Sequence, residues 1–302
     1  MFHFRSSLYF MFGARQSDGG CLFYLQKRVL KMIDYKDVIK QAPLPFVGQK
    51  RFFVKKIYEY FKSLDYKPSK VVDCFGGSGL LSNLFKQMYP ETEVVYNDYD
   101  NYMGRVEQIA KINEVLTECR KILVKHNIES RTRITDPAKT ELEGYLDTVD
   151  WNQTDRNTVY VNFSLGGLND RNTPYINKLR QSDYVHNEEY CKGCKIVTCD
   201  YEELIQDDKA LYILDPPYIQ TSSNTYKNWF SIADFLKLYE RIKNLDNFIL
   251  FTSYRSGAYD VLNYLHKDIK TFSDDILESK SCAGISIAKG VEELAYIRLR
   301  GL

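Results

Sequence analysis

The residues best equipped for chemistry are Asp215-Pro216-Pro217-Tyr218, which follow the apolar run Leu211-Tyr212-Ile213-Leu214. That run reads as a short buried strand. A residue before proline is pushed to extended geometry, so neither Asp215 nor Pro216 can enter a helix at once. The strand therefore ends in a stiff loop that presents one carboxylate, peptide carbonyls that no helix consumes, and one aromatic face. An exocyclic amine on a planar base needs such groups: acceptors for its N–H bonds and a ring to stack on. The plainer reading is a proline turn with Asp as an ordinary turn residue. Asp-Pro-Pro-Tyr directly after a buried strand favours the functional reading.

A second constellation lies upstream. Val71-Val72-Asp73-Cys74-Phe75-Gly76-Gly77-Ser78-Gly79-Leu80-Leu81-Ser82 reads as strand, glycine turn, then helix. Glycines let a backbone approach a ligand closely, and a helix N-terminus offers free N–H groups. The helix spans roughly 80–88 and stops near Pro90. A strand follows at Glu93-Val94-Val95-Tyr96 and ends in Asn97-Asp98. An acid at that position, about 20 residues past the glycines, suits two ribose hydroxyls. The turn lacks the full dinucleotide spacing and alone marks many nucleotide binders. Strand, turn, helix, strand and acid together are more specific.

These residues carry a resemblance. Asp73-x-Phe75-x-Gly77-x-Gly79 resembles the S-adenosylmethionine motif of the amino-methyltransferases, and Asp215-Pro216-Pro217-Tyr218 their catalytic motif. Pro45-Phe46-Val47-Gly48-Gln49-Lys50-Arg51 is similar to the N-terminal Pro-Phe-x-Gly-Gly-Lys motif of Dam-type (alpha class, D12 family) DNA adenine methyltransferases. Cys199-Asp200-Tyr201 resembles the family element that contacts the cofactor adenine, and Val291-Glu292-Glu293-Leu294-Ala295-Tyr296 the terminal strand. The order of motifs, with a long insertion between cofactor and catalytic motifs, is that of the alpha class and of many phage enzymes. The resemblance runs from about Ala42 to Leu302, with a gap over the insertion.

The resemblance implies an α/β fold: a doubly wound, mixed, Rossmann-like sheet of the S-adenosylmethionine-dependent methyltransferase type, with a smaller, mainly helical target-recognition domain inserted. Residues 1–31 would be a basic leader outside the catalytic core, 32–100 the cofactor half, 101–195 the recognition insertion and 196–302 the catalytic half. Activity would be site-specific methyl transfer to adenine N6 in double-stranded DNA by base flipping. Phe46 and Lys50 would border the methionine end of the cofactor. Asp73, Phe75, Gly77 and Gly79 would form its turn, Asp98 would hold the ribose and Asp200 would lie near the adenine. Asp215 and the Pro216 carbonyl would accept the target amine's N–H bonds, Pro217 would stiffen the loop, and Tyr218 would stack on the flipped base. No metal is required.

Two departures stand out. Gln49 replaces the family's usual second glycine. The region 156–177 holds only an echo of the Dam recognition pattern, in Asn157, Asn162-Phe163 and Thr173-Pro174-Tyr175, so the target GATC does not carry over. Cytosine N4 presents a similar amine, although enzymes acting there more often begin the motif with Ser. RNA adenine is a further alternative. So is a catalytically silent DNA-binding regulator of the same fold, against which the intact Asp98 and Asp215–Tyr218 argue. The recognition sequence, oligomeric state and any restriction partner are not legible.

Length and composition agree with an enzyme of this kind. A chain of 302 residues can build one substantial core and a smaller unit. No apolar run approaches a membrane span. Arg5, Ser6 and Ser7 break any signal-peptide core in the aromatic opening. Seven cysteines without framework spacing fit a reducing compartment, the cytoplasm. Net charge is +1, yet residues 1–70 carry 14 Lys and Arg against 5 Asp and Glu. A basic island at Arg120, Lys121, Lys125, Arg131, Arg133 and Lys139, or Arg156 and Arg171, could meet phosphates and base edges. On charge alone a solvated helix face is the better reading; the family context favours DNA.

Helical spacing at Phe53, Ile57, Tyr60, Phe61 and Leu64 predicts a core-facing helix over 52–64, and a second helix is expected over 106–125. Strands are expected at 195–198 and 248–252, a helix at 232–244, and a loop or hairpin over 274–289. Cys191-Lys192-Gly193-Cys194, near His186 and Cys199, has the spacing of half a zinc site. Without a second pair, a turn with two free thiols is favoured. Trp151 and Trp229 read as loop or core anchors, with Trp229 the better placed to line a target pocket.

Overall fold

The computed structural model describes residues 9–15, 21–27, 32–129, 134–162, 182–207, 209–219, 230–281 and 291–300, with 9–15, 21–27, 280–281 and 291–292 described by backbone alone. In the leader, where the sequence suggests no element, β1 (Tyr9–Arg15) and β2 (Cys21–Lys27) pair antiparallel.

α1 (Arg51–Ser63) forms where the spacing predicts it and buries Phe53, Val54, Ile57, Tyr58 and Phe61 on one stripe. β3 (Lys70–Asp73), α2 (Leu80–Met88) and β4 (Glu93–Asn97) follow the expected strand–turn–helix–strand order. The helix expected over 106–125 is two helices: α3 (Tyr102–Glu107) and α4 (Ile109–Lys125). The start moves upstream because Asp98 caps the N–H groups of Tyr102 and Met103, and the break falls at Gln108. α5 (Ala138–Leu146) and α6 (Arg156–Tyr160) complete the described helices of the insertion. Then come β5 (Lys195–Val197), α7 (Tyr201–Leu204), β6 (Leu211–Leu214), α8 (Ile232–Ile242), β7 (Asn247–Ser253), α9 (Gly257–Leu265), β8 (Asp275–Ser281) and β9 (Val291–Leu299).

Seven strands make one sheet in the order β5-β4-β3-β6-β7-β9-β8. The first five run parallel; β9 is antiparallel to both β7 and β8. β6 and β7 are buried throughout, as parallel strands covered on both faces must be. Neighbouring residues face opposite layers. Val71, Leu211, Ile213, Ile249 and Phe251 pack with α1, α2 and α4. Val72, Tyr212, Leu214, Phe248 and Leu250 pack with Phe235 and Leu238 of α8 and Leu262 of α9. Strand order reverses between β3 and β6, and the crevice beyond the C-terminal ends of such a pair is where open α/β sheets bind ligands.

The insertion's apolar residues Ile112, Leu116, Leu142 and Val159 belong to the same cluster as α1 and α2. Among the described residues, no helix is long and apolar enough to cross a membrane.

Candidate active site

The β3 and β6 loops open into one cavity of about 460 Å³. Within it stand Phe46, Lys50, Asp73, Phe75, Gly77, Asp200, Asp215 and Pro217 of the residues expected at the site. Pro216 is buried beneath the loop, and Tyr218 turns towards Lys50 and β9.

The glycine turn is shaped by two close approaches. Gly77 has φ +50°, and a Cβ there would stand 2.8 Å from the Phe46 ring. Gly79 has φ +73°, and its Cβ would meet Cys191 Sγ at 2.9 Å. Any side chain would be strained at either position and would also push on its neighbour. Gly79 is thus the N-cap of α2, packed from behind, and does not face the cavity. Phe46 stands edge-on to Tyr102 at 5.7 Å. Gln49, in place of the family glycine, donates Nε2–H to the Leu44 carbonyl at 2.9 Å and closes its loop upon itself.

Asp98 has partners that its spacing from the glycines does not reveal. Its Oδ1 accepts the Tyr102 N–H at 2.5 Å and its Oδ2 the Met103 N–H at 2.9 Å, so the carboxylate points into the start of α3. It is buried and set back from the cavity, whose carboxylates at that end are Asp100, Asp200 and Glu202. A free helix N-terminus attracts a carboxylate by both hydrogen bonding and dipole. Spacing from the glycines cannot distinguish that partner from a ribose. Asn97 supplies the local order: Nδ2 donates to the Cys74 and Cys199 carbonyls, and Oδ1 accepts the Cys199 N–H. One amide thereby ties together the loops after β3, β4 and β5.

The aromatic wall comes from Phe75, stacked on Tyr201 at 5.0 Å and edge-on to Phe230 at 6.3 Å. Tyr201 is part of the quoted Cys199-Asp200-Tyr201 element. Phe230 has no sequence signal beyond its place before α8. Asp200 accepts the Glu202 N–H at 2.9 Å and caps α7.

At the other end, Lys50 Nζ lies 2.7 Å from Asp215 Oδ2, donates to the Gly48 carbonyl at 2.8 Å and sits 3.9 Å from Glu293 Oε1. The Tyr218 hydroxyl donates to that same Glu293 oxygen at 3.3 Å, and Lys50 stands 5.3 Å from the Tyr218 ring centroid. Lys50 is 5% exposed. Burial works against its charge, but Asp215, Tyr218 and Glu293 outweigh that and hold its pKa well above the ordinary lysine value. Burial raises the carboxyl of Asp215, with Lys50 opposing, and raises Glu293 likewise. Glu293, a buried acid on the apolar strand β9, is a site residue the sequence does not single out; its charge within an apolar run is the signal. Asp73 is buried and accepts from Ser82 Oγ at 2.6 Å. Burial, outweighing that hydrogen bond, pushes its pKa up to about 7.

The chain is 32% identical over 250 residues to a Haemophilus influenzae protein named "Putative methyltransferase", an alignment covering 78% of this chain and 84% of that relative. The chain belongs to the methyltransferases. No protein-family model matches it. In this methyltransferase the expected basic island is largely paired: Arg120 with Asp183, Lys121 with Glu118, Lys125 with Glu141 and Lys139 with Glu143. Such exposed pairs hold weakly, so their Lys and Arg can still exchange partners. Arg156 packs on Trp151 and Tyr160, and makes Trp151 a loop anchor. Arg131, Arg133, Phe163, Arg171, Thr173-Pro174-Tyr175 and Trp229 lie outside the described residues. Cys191 and Cys194 are free thiols in a turn closed by Cys194 N–H to the Cys191 carbonyl at 3.0 Å.

Proposed function

We propose that this methyltransferase uses S-adenosylmethionine to methylate the exocyclic amine of adenine in double-stranded DNA. The observation that carries the reading is the shared cavity: the glycine turn after β3 and the Asp-Pro-Pro-Tyr loop after β6 face one another across it, on strands that pair directly. The groups present suit the cofactor. A wall of Phe75, Tyr201 and Phe230 suits an adenine ring, Asp100 or Asp200 a ribose diol, and the Asp73 carboxylate a cationic amine. Bound there, S-adenosylmethionine would supply an electrophilic methyl on sulfonium.

The remaining work falls to the chain. An aromatic amine is a poor nucleophile because its lone pair is delocalised into the ring. Asp215 and the Pro216 carbonyl would accept its two N–H bonds, turn the lone pair out of the plane and stabilise positive charge developing on nitrogen. Lys50 holds Asp215 in place before the amine arrives. Tyr218, tethered through its hydroxyl to Glu293, would offer its ring to a base extruded from the duplex. Fixing donor and amine in line supplies much of the acceleration.

The test is genomic DNA from a host expressing the protein, sequenced with detection of modified bases. The reading expects N6-methyladenine in a defined sequence context, absent from cells expressing Asp215→Ala. Modified cytosine would reassign the base; unmodified DNA from cells containing soluble protein would count against DNA as the substrate.

A further inference from the structure

The Cys191-Lys192-Gly193-Cys194 turn sits directly behind the glycine turn. The Tyr190 hydroxyl donates to the Ser78 carbonyl at 2.8 Å, Cys191 N–H to Asn83 Oδ1 at 3.0 Å, and the Cys191 thiol to the Gly79 carbonyl at 3.5 Å. The Cys194 thiol points at the Ser82 carbonyl, 3.9 Å away. Both sulfurs therefore lie along the first turn of α2. The other side of Gly76, Gly77 and Ser78 lines the cavity.

The backbone is ready for a cross-link. A β-turn holds its first and fourth Cα within about 7 Å, and a disulfide spans roughly 4.4–6.8 Å between Cα atoms. Positive φ at Gly193, +78°, permits this turn, and the missing side chain leaves room for Lys86, whose Cε would lie 2.9 Å from a Cβ there. Cys191 is 4% exposed, whereas Cys194 is only partly buried. The neighbouring Cys191 thiol and the charge of Lys86 lower the Cys194 pKa, against burial. Cys194 is thus the thiol a reagent can reach and the better thiolate.

We propose that Cys191 and Cys194 are a reversible disulfide site that loosens the cofactor turn when oxidised. The Cys194 thiolate attacks one sulfur of a small-molecule disulfide and expels a thiolate. Cys191 then loses its proton to solvent, attacks the Cys194 sulfur of the mixed disulfide and expels the second thiol. The balance is one protein dithiol plus one disulfide giving one protein disulfide plus two thiols. Once oxidised, Cys191 has no S–H to give the Gly79 carbonyl, and its sulfur is drawn from α2 towards Cys194. In a reducing compartment such a bond is transient and regulatory. That the turn holds S-adenosylmethionine rests on the proposed function.

The experiment equilibrates the full chain with graded ratios of reduced to oxidised glutathione. Peptide mapping after alkylation reads the link, hydrogen exchange reads the amides of residues 76–81, and calorimetry reads S-adenosylmethionine affinity. The expected results are a Cys191–Cys194 link, faster exchange over 76–81, and affinity lower by about fivefold, the worth of one hydrogen bond, all reversed by dithiothreitol. Cys194→Ser should be indifferent to the oxidant in exchange and affinity. No link at any ratio, a stable glutathione adduct on Cys194, or a link with unchanged exchange would overturn the proposal. Absence of binding by the reduced protein would instead refute the cofactor assignment, while exchange still decides the disulfide.

Discussion

Lys50 Nζ and Asp215 Oδ2 meet at 2.7 Å, although 165 residues separate them in the chain. The pair joins the N-terminal loop that covers the glycine turn to the loop that ends β6. Burial raises the Asp215 carboxyl, while Lys50 works the other way, favouring its ionised form and orienting it before any substrate enters. A buried pair broken on one side costs about 3–5 kcal/mol, because the remaining charge is stranded. Lys50→Met should therefore lower stability and drive Asp215 towards its protonated form. A displaced denaturant midpoint, together with methyl transfer that survives only at higher pH, is the expected outcome. Unchanged stability and pH dependence would show that the pair does no such work.

Asp98 and Asp100 should separate cleanly. Asp98→Ala removes the cap of α3 and should cost about 1 kcal/mol of stability, read as a lower denaturant midpoint, with a smaller effect on cofactor affinity. Asp100→Ala should weaken S-adenosylmethionine binding by roughly tenfold, the worth of a hydrogen bond to a charged acceptor. Calorimetry on both variants decides; the reverse pattern would return Asp98 to the ribose.

Gly77→Ala should impair the cofactor turn. It places a side chain at positive φ, costing about 1–2 kcal/mol, and drives a methyl to 2.8 Å from Phe46. Cofactor affinity should fall severalfold, and Phe46→Leu in the same chain should restore part of it by giving way. No rescue would mean that backbone strain alone accounts for the loss.

Asp73 carries a pH prediction. Its folded pKa, about 7, lies above the ordinary 3.8. Between those values the folded state holds a proton that the unfolded chain has released. This stabilisation is complete below the unfolded pKa and is lost as pH rises through about 7. Wild type should lose stability between pH 5 and 8 relative to Asp73→Asn, measured by denaturant titration across that range. Cofactor affinity should move the other way in wild type, rising as Asp73 ionises. A constant difference between the two proteins would place the Asp73 pKa elsewhere.

The elements legible in sequence were those encoded locally. The glycine turn, α2 and the Asp215–Tyr218 loop follow from glycine, proline and apolar patterning over a dozen residues. Their juxtaposition in one cavity followed from the family order of motifs. Asp98 is harder to place from sequence, because strand-to-acid spacing is equally served by a ribose and by the helix that begins four residues later. Glu293 depends on β9 lying antiparallel beside β7, a pairing made across about forty residues. The docking of Tyr190 and Cys191 on Ser78 and Gly79 spans 112 residues and leaves no local trace. The long helix at the start of the insertion was visible, but not that the insertion's apolar residues join the core of α1 and α2.

Asp215 and its loop are proposed to direct a methyl group to the amine of adenine in DNA. The most direct measurement incubates duplex DNA of varied sequence with methyl-labelled S-adenosylmethionine and the protein, then identifies labelled nucleosides by mass spectrometry. The account predicts label in N6-methyldeoxyadenosine with wild type, and none with Asp215→Ala even though that variant still binds the cofactor by calorimetry. Label in N4-methyldeoxycytidine, or no label in any DNA from wild-type protein that binds the cofactor, would contradict it.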